Sequence, residues 1–444
     1  MNYTCLQCPC GSIRGIGTEE YRLFKGVPYA KAGRWEAPVP VTGWEGELDA
    51  TFQGKACPQR NAYETATTGS GLFYRNETVE KQVLLYDEDC LNLNIWTPKD
   101  PKGLPVLVYI HGGSYETGFG AAVAFNGAAY CRRNVILVTI NYRLNAFAGA
   151  IGDGHKGNYG LQDQICALRW VRDNIAAFGG DPDKITIMGE SAGAMSVQNL
   201  ILSPMAKGLF RGAIMLSGGG ILSNVFRIKT PENMQALWTE IKDAFGAATI
   251  DQLKSVPPRE LYTTWKALSL KNPSYAFPAT PVVDGHFLPG YPHQVVAEGM
   301  HNAVPTILSV LSEDMWPHSL YKAIVEWADL AAAPVYGAYF DRAVPGSDHG
   351  AYHGCDVRYA FGTLYTSWRP FTDTDLRISE NMIDYFAAFT KTGAPQAEGL
   401  AQWLPLSSEQ KRFMHFGDEP CDMVPVPEER LLATEAKGKP FPGM

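Results

Sequence analysis

From residue 105 onward the chain alternates short apolar runs with longer amphipathic stretches. Val106 to Ile110, Asn134 to Tyr142 and Lys184 to Met188 are apolar runs of strand length with no polar alternation, the pattern of strands covered on both faces. Between the last two, Leu161, Ile165, Leu168, Val171 and Ile175 recur at steps of three and four within Gly160 to Phe178. Gly179-Gly180 then ends that run as a helix C-cap would. Strand, helix and strand in this order make a βαβ unit.

The same alternation continues to the C-terminal part. A helix is predicted over Ser191 to Leu202, and strands over Gly212 to Leu216, Pro305 to Leu311 and Val335 to Phe340. A further helix is predicted over Thr374 to Lys391, with Met382, Phe386 and Phe389 on one face and Gly393 just beyond its end. The N-terminal third is different: Ser12 to Gly17, Arg22 to Val27 and Leu91 to Thr97 read as short strands between Gly and Pro punctuation. Together these predict an α/β fold: a mostly parallel central sheet with helices on both faces and a short antiparallel N-terminal region. No repeat or low-complexity linker divides the chain, so residues 1–444 are expected to form one domain. Sheets of this kind bind ligands at the carboxyl ends of their strands.

Composition narrows the function classes without choosing among them. Hydrophobic residues make up 45% and charged residues 19% of the 444, ordinary values for a globular enzyme. The net charge of -8 leaves no basic footprint for nucleic acid or anionic lipid, and points to a small, weakly charged ligand. Met1 to Arg14 lack both a basic start and a long apolar run, which sets the expectation of a cytoplasmic protein away from membranes. Nine cysteines at irregular spacing argue against a disulfide scaffold, and Cys5, Cys8 and Cys10 lack the fourth ligand that structural zinc wants. No metal or cofactor is expected.

Candidate chemistry enters at Gly189-Glu190-Ser191-Ala192-Gly193. This GxSxG motif directly follows the strand ending at Met188 and opens a helix, the context of a nucleophile elbow, in which a strained turn lifts the serine hydroxyl above the sheet. A serine hydroxyl needs a base to take its proton and an acid to orient that base. His349 and His353 lie in the loop after the strand Val335 to Phe340, and His111 follows Val106 to Ile110. Glu313 and Asp314 come just after the strand Pro305 to Leu311. The chain order serine, acid, histidine is that of the α/β-hydrolase fold. His111-Gly112-Gly113-Ser114 makes a loop whose small residues let N–H groups turn inward, so the oxyanion donors are expected to be the N–H groups of Gly113, Ser114 and Ala192, with His111 shaping the loop.

At this point the chain resembles the type-B carboxylesterase family, which includes cholinesterases and bacterial para-nitrobenzyl esterases. The resemblance is carried by Phe24 to Ala30 (FKGVPYA), Glu88 to Asn94 (EDCLNLN), the HGG loop at His111, the run from Asn158 to Ala194, and Pro281 to Gly285 (PVVDG). It implies Ser191 as nucleophile, His353 as base and Asp314 as acid, at a position where the family usually has glutamate. Glu313 stays open as the competing acid, since neighbours in an extended segment point to opposite sides. The resemblance also implies a supporting role for Asp356, three residues after His353.

Three departures from the family pattern matter. Ser114 replaces the third glycine of the oxyanion loop and is expected to narrow the acyl side of the pocket. Cys57 and Cys90 match a family disulfide, with a reduced pair equally compatible. The interval from Asp314 to His353 is short, so a reduced helical lid is expected between 315 and 334. The activity these features imply is hydrolysis of carboxylic esters of small, mostly apolar or aromatic molecules through an acyl-enzyme, with Glu190, Tyr115, Phe119, Met315 and Trp316 as supporting or substrate-lining candidates. The rate is expected to fall below pH about 6 to 7 as the histidine base protonates. The alternatives are a non-catalytic binding or adhesion protein on the same fold, and a lipase.

Overall fold

The computed structural model describes residues 2–59, 84–221 and 229–438. One large sheet organises them. In chain order its main strands are β1 (Asn2–Cys8), β2 (Gly11–Gly17), β3 (Tyr21–Pro28), β4 (Asn92–Pro98), β5 (Leu104–Ile110), β6 (Ile136–Ile140), β7 (Gly180–Glu190), β8 (Gly212–Leu216), β9 (Thr306–Leu311), β10 (Val335–Phe340), β11 (Arg412–Phe416) and β12 (Met423–Pro425). Across the sheet they lie in the order β1-β2-β3-β4-β6-β5-β7-β8-β9-β10-β11-β12, with the short strand Glu47–Asp49 beside β2.

The sheet changes character along this order. β1 to β4 pair antiparallel, and β4 pairs antiparallel with β6. From β6 through β5, β7, β8, β9, β10 and β11 every pairing is parallel, and β12 closes the edge antiparallel. The hydrophobic runs follow directly from this. Every residue of β6, β8, β9 and β10 is buried, because the crossover connections of a parallel sheet place helices on both faces. β1 alternates with exposed positions, as a strand open on one side does.

The longer helices are α1 (Tyr159–Asn174), α2 (Ala192–Leu202), α3 (Pro231–Phe245), α4 (Pro258–Lys271), α5 (Pro317–Leu330), α6 (Asp373–Thr392) and α7 (Glu428–Ala436). α1 continues as a 3-10 turn to Phe178 and stops at Gly179 in the left-handed region, φ 82°. α6 starts in a capping box between Thr372 and Asp375 and ends at left-handed Gly393, close to the predicted limits. Asn158, at the entry to α1, donates to the Val282 carbonyl and accepts from the Val282 N–H, both at 2.8 Å. This joins two sequence motifs more than a hundred residues apart. Arg143 and Asp163 form a buried bidentate pair at 2.8 and 2.7 Å that fixes α1 to the loop after β6.

The segment 315–334, expected as a reduced lid, holds α5, the crossover helix between the parallel strands β9 and β10. Its buried residues Leu320, Tyr321, Ala323, Ile324 and Trp327 and its contacts with both strands and with α7 account for its amphipathic pattern. Cys57 and Cys90 are buried free thiols. No described helix is long and apolar enough to cross a membrane.

Candidate active site

Strand register brings the motif residues together. Gly189 in β7 lies opposite Ile110 in β5, so the turn after β7 and the HGG loop after β5 emerge side by side. The turn is tight enough to exclude side chains: a Cβ on Gly189 would lie 2.3 Å from the Gly193 carbonyl carbon, and one on Gly193 only 2.1 Å from the Ile110 oxygen. Ser191 itself takes φ 56° and ψ -124°, a strained conformation for a residue with a side chain. The surrounding parallel strands hold it there, helped by the Ser191 N–H donating to the Leu216 carbonyl at 2.9 Å.

The two loops from β9 and β10 supply its partners. Ser191 Oγ lies 2.8 Å from His353 Nε2, and His353 Nδ1 lies 2.7 Å from Asp314 Oδ1. Because an ionised carboxylate only accepts, Asp314 makes Nδ1 the donor, and in the neutral ring this leaves Nε2 to accept the serine proton. The Met315 N–H also donates to Asp314 Oδ1, at 2.7 Å. All three side chains are buried, each less than a tenth exposed. Glu313 faces the other way and meets Arg430, Ser312 and the backbone of the His353 loop. His349 is exposed, and no hydrogen bond joins its ring to this group among the described residues.

The oxyanion loop has an unusual run of backbone angles. Gly113, Ser114 and Tyr115 all have positive φ, at 110°, 57° and 59°. Only Gly113 could not bear a side chain at all, since a Cβ would sit 2.2 Å from the Thr117 oxygen. The Gly113 carbonyl is taken by the N–H groups of Glu116 and Thr117, at 2.9 and 3.0 Å, while the N–H groups of Gly113, Ser114 and Ala192 meet no acceptor among the described residues. His111 shapes this loop from below: Nδ1 lies 2.8 Å from the Gly112 oxygen, its ring stacks on Tyr142, and its own carbonyl accepts the Tyr142 hydroxyl at 2.8 Å.

Two further acids crowd His353. Glu190 Oε1 lies 3.4 Å from Nε2, the nitrogen that also faces the serine. Its carboxylate fits because Gly112 and Gly354 have no side chains: a Cβ at either would come within 2.7 and 3.0 Å of the Glu190 oxygens. Burial pushes the Glu190 carboxyl up to about 7, with Asp314 adding repulsion and His353 opposing it. Asp356 is wholly buried, and neither of its oxygens meets a partner among the described residues. Burial, with repulsion from Glu190 and Asp314, lifts it to about 8.

For His353, burial alone would favour the neutral ring, but attraction to Asp314, its hydrogen bond, and the charges of Glu190 and Asp356 together carry it up to about 9. Sequence reasoning had Glu190 and Asp356 as supporting candidates but had no measure of this field. The other candidates separate. Tyr115 is buried with its hydroxyl 3.5 Å from Asn199 Nδ2 on α2, and Phe119 packs in a small satellite cluster with Ala56, Leu84 and Ala122. Met315 and Trp316 are partly buried directly after Asp314. A cavity bordered by Tyr115, Gln164, Met234 and Val282 has only about 20 Å³ of room, roughly one water, and touches neither Ser191 nor His353.

Known proteins resemble this chain over most of its length. The family model described as the carboxylesterase family matches residues 2–322 and 313–434. The chain belongs to the carboxylesterase family. It is 30% identical to the para-nitrobenzyl esterase of Bacillus subtilis, over 99% of this chain and all of that protein. It is 29% identical to a human protein named cocaine esterase, over 93% of this chain and 85% of that one. Among solved structures, a thermophilic PNB esterase superimposes with a TM-score of 0.82 at 27% identity, covering 98% of this chain and all of the other. This carboxylesterase is therefore a serine esterase of the α/β-hydrolase fold, hydrolysing carboxylic esters. The comparisons give no support to a non-catalytic adhesion role or to a lipase.

Proposed function

We propose that Ser191, His353 and Asp314 are the reacting triad and that the N–H groups of Gly113, Ser114 and Ala192 hold the oxyanion. His353 takes the Ser191 proton as Oγ attacks the ester carbonyl, and returns it to the departing alcohol. Water then repeats the sequence on the acyl-enzyme. The observation that carries this reading is the continuous chain of contacts from Ser191 Oγ through His353 to Asp314, at 2.8 and 2.7 Å, with the serine in a strained turn. Open N–H groups beside it suit the transition state, in which each such donor contributes about 3 to 4 kcal/mol.

The substrate class we infer is small esters with an apolar or aromatic part. Met315 and Trp316 beside the acid, and the aromatic nitrobenzyl group in the name of the para-nitrobenzyl esterase relative, support it. The two overlapping segments of the family match meet at 313–322, around the acid, which supports a reduced cover over the site. The test is a burst of nitrophenol from a short-chain nitrophenyl ester, with a burst amplitude near one per active site in the native protein and none in Ser191→Ala. A native burst that survives in Ser191→Ala would sink the assignment. Faster turnover of emulsified long-chain triglyceride than of the soluble ester would replace the substrate class.

A further inference from the structure

The acid side of the site contains a second carboxylate that the reaction does not use. Glu313 precedes Asp314, and its side chain is only 12% exposed. It binds the histidine loop by several routes. The Glu313 N–H donates to the Ala351 carbonyl at 3.2 Å, and Glu313 Oε2 accepts from the Ala351 N–H at 3.2 Å and contacts the Ser312 hydroxyl. Glu313 and Tyr352 also form an isolated parallel bridge. Gly350, at φ 68°, lets the carboxylate lie flat against this backbone, since a Cβ there would be 2.8 Å from Oε2.

The other carboxylate oxygen faces the C-terminal helix. Arg430, on α7, donates from Nη2 to Glu313 Oε1 at 3.0 Å and to the Ser312 hydroxyl at 3.2 Å. Its Nη1 lies 3.5 Å from Asp341 Oδ2, just past the end of β10, and Asp341 is in turn held by His415 at 2.6 Å. Arg430 thus bridges the ends of two adjacent strands, the one leading to Asp314 and the one leading to His353.

We propose that Glu313 is a positioning residue, which fastens the acid's loop to the histidine's loop, and that Arg430 locks this fastening from the C-terminal helix. The proposal rests on the reading of Ser191, His353 and Asp314 as the triad. The physical need is reach. Asp314 and His353 stand on separate loops and meet through one side-chain hydrogen bond, and an aspartate extends one methylene less than a glutamate, so the loops themselves must be held close. A drift of about 1 Å between reacting groups costs up to roughly 100-fold in rate.

The test uses the full chain and a short-chain nitrophenyl ester. Glu313→Ala is expected to lower kcat by about 10- to 100-fold with KM within about twofold, the signature of lost alignment and not of lost binding. Glu313→Gln, which still accepts from the Ala351 N–H, should recover most of the rate. Arg430→Ala should lose about 3- to 10-fold and Arg430→Lys less, and the double alanine variant should be no slower than Glu313→Ala alone. Native kcat in Glu313→Ala overturns the proposal, and so do independent, multiplying effects of the two alanine changes. Inactivity of Glu313→Gln as deep as that of Asp314→Ala overturns it too, making Glu313 part of the reacting set. If Glu313→Ala does not fold, the half-exposed Arg430 carries the test, and an unchanged kcat in Arg430→Ala overturns the lock. Ser191→Ala separates the levels: full turnover there removes the triad reading, whereas loss there with native kcat in Glu313→Ala removes the positioning role alone.

Discussion

Two histidines follow two parallel strands of one sheet, are buried to a similar degree, and are driven in opposite directions. His111 comes after β5, and burial pushes it down to about 4, with a hydrogen bond to Gly112 only partly opposing. His353 comes after β10 and rises to about 9, because Asp314, Glu190 and Asp356 surround it. Burial alone makes a histidine neutral and inert. Carboxylates placed around a buried histidine make it hold a proton tightly, which suits the imidazolium that forms when the serine attacks. The difference lies in the neighbours, and neither the residue type nor its place at a strand end reveals it.

The comparison is broken most directly by removing each ring in turn. His353→Asn should lower kcat by about 10,000-fold or more, since the serine loses its base. His111→Asn should cost only about 10-fold, through loosening of the oxyanion loop, whose donors are worth more than this only when lost outright. Measuring kcat with one soluble ester decides it. Equal losses in the two variants would mean that His111 takes part in proton transfer.

A smaller effect sharpens the account of the field around His353. The base works in its neutral form, so a raised value moves the acid limb of kcat/KM upward, from the unperturbed 6.5 toward about 9. Asp356→Asn removes one of the charges that raise it. Because Asp356 is itself raised to about 8, its charge acts only near and above that pH: the limb should move down so that kcat/KM at pH about 8.5 increases by about 2-fold, with little change at pH 7 and on the alkaline plateau. Profiles measured from pH about 5 to 9.5 on a non-ionising ester would show this. A native limb at or below 6.5 would mean that the acids do not raise His353.

How much of this was legible in the chain follows from what each feature depends on. The parallel core was readable because a strand covered on both faces writes a continuous apolar run, as β6 and β9 do, and a crossover helix writes a stripe, as α1 does. Ser191, His353 and Asp314 were readable as candidates because strand ends converge in such a sheet. The choice between Glu313 and Asp314 needed the isolated bridge to Tyr352, which turns one acid to the loop backbone and the other to the ring. The crossing of Glu190 to His353 was hidden for a similar reason: it depends on two bare glycines, Gly112 and Gly354, from different loops. Helices α3 and α4 were not read at all, since their amphipathic patterns lie in an insertion between β8 and β9 with no motif to mark it.

The last test concerns what the field around His353 costs the fold. Asp356 is a buried acid raised to about 8, the opposite of a salt-bridged carboxylate. The fold therefore holds its proton more tightly than the unfolded chain does. The penalty for ionising it in place is absent below the ordinary 3.8, grows as pH rises through the interval, and is complete above about 8. Asp356→Asn removes a charge that cannot be satisfied while keeping the shape, so it should raise Tm by a few degrees at pH about 8.5 and leave it nearly unchanged at pH about 4. Thermal melts of both proteins across that range measure the difference. A gain equal at both ends would mean that packing, and not charge, is what the substitution relieves. With a gain confined to neutral and alkaline pH, the acid that raises His353 would be a group the fold holds at a loss, whereas among the described residues no acid raises His111 in this way.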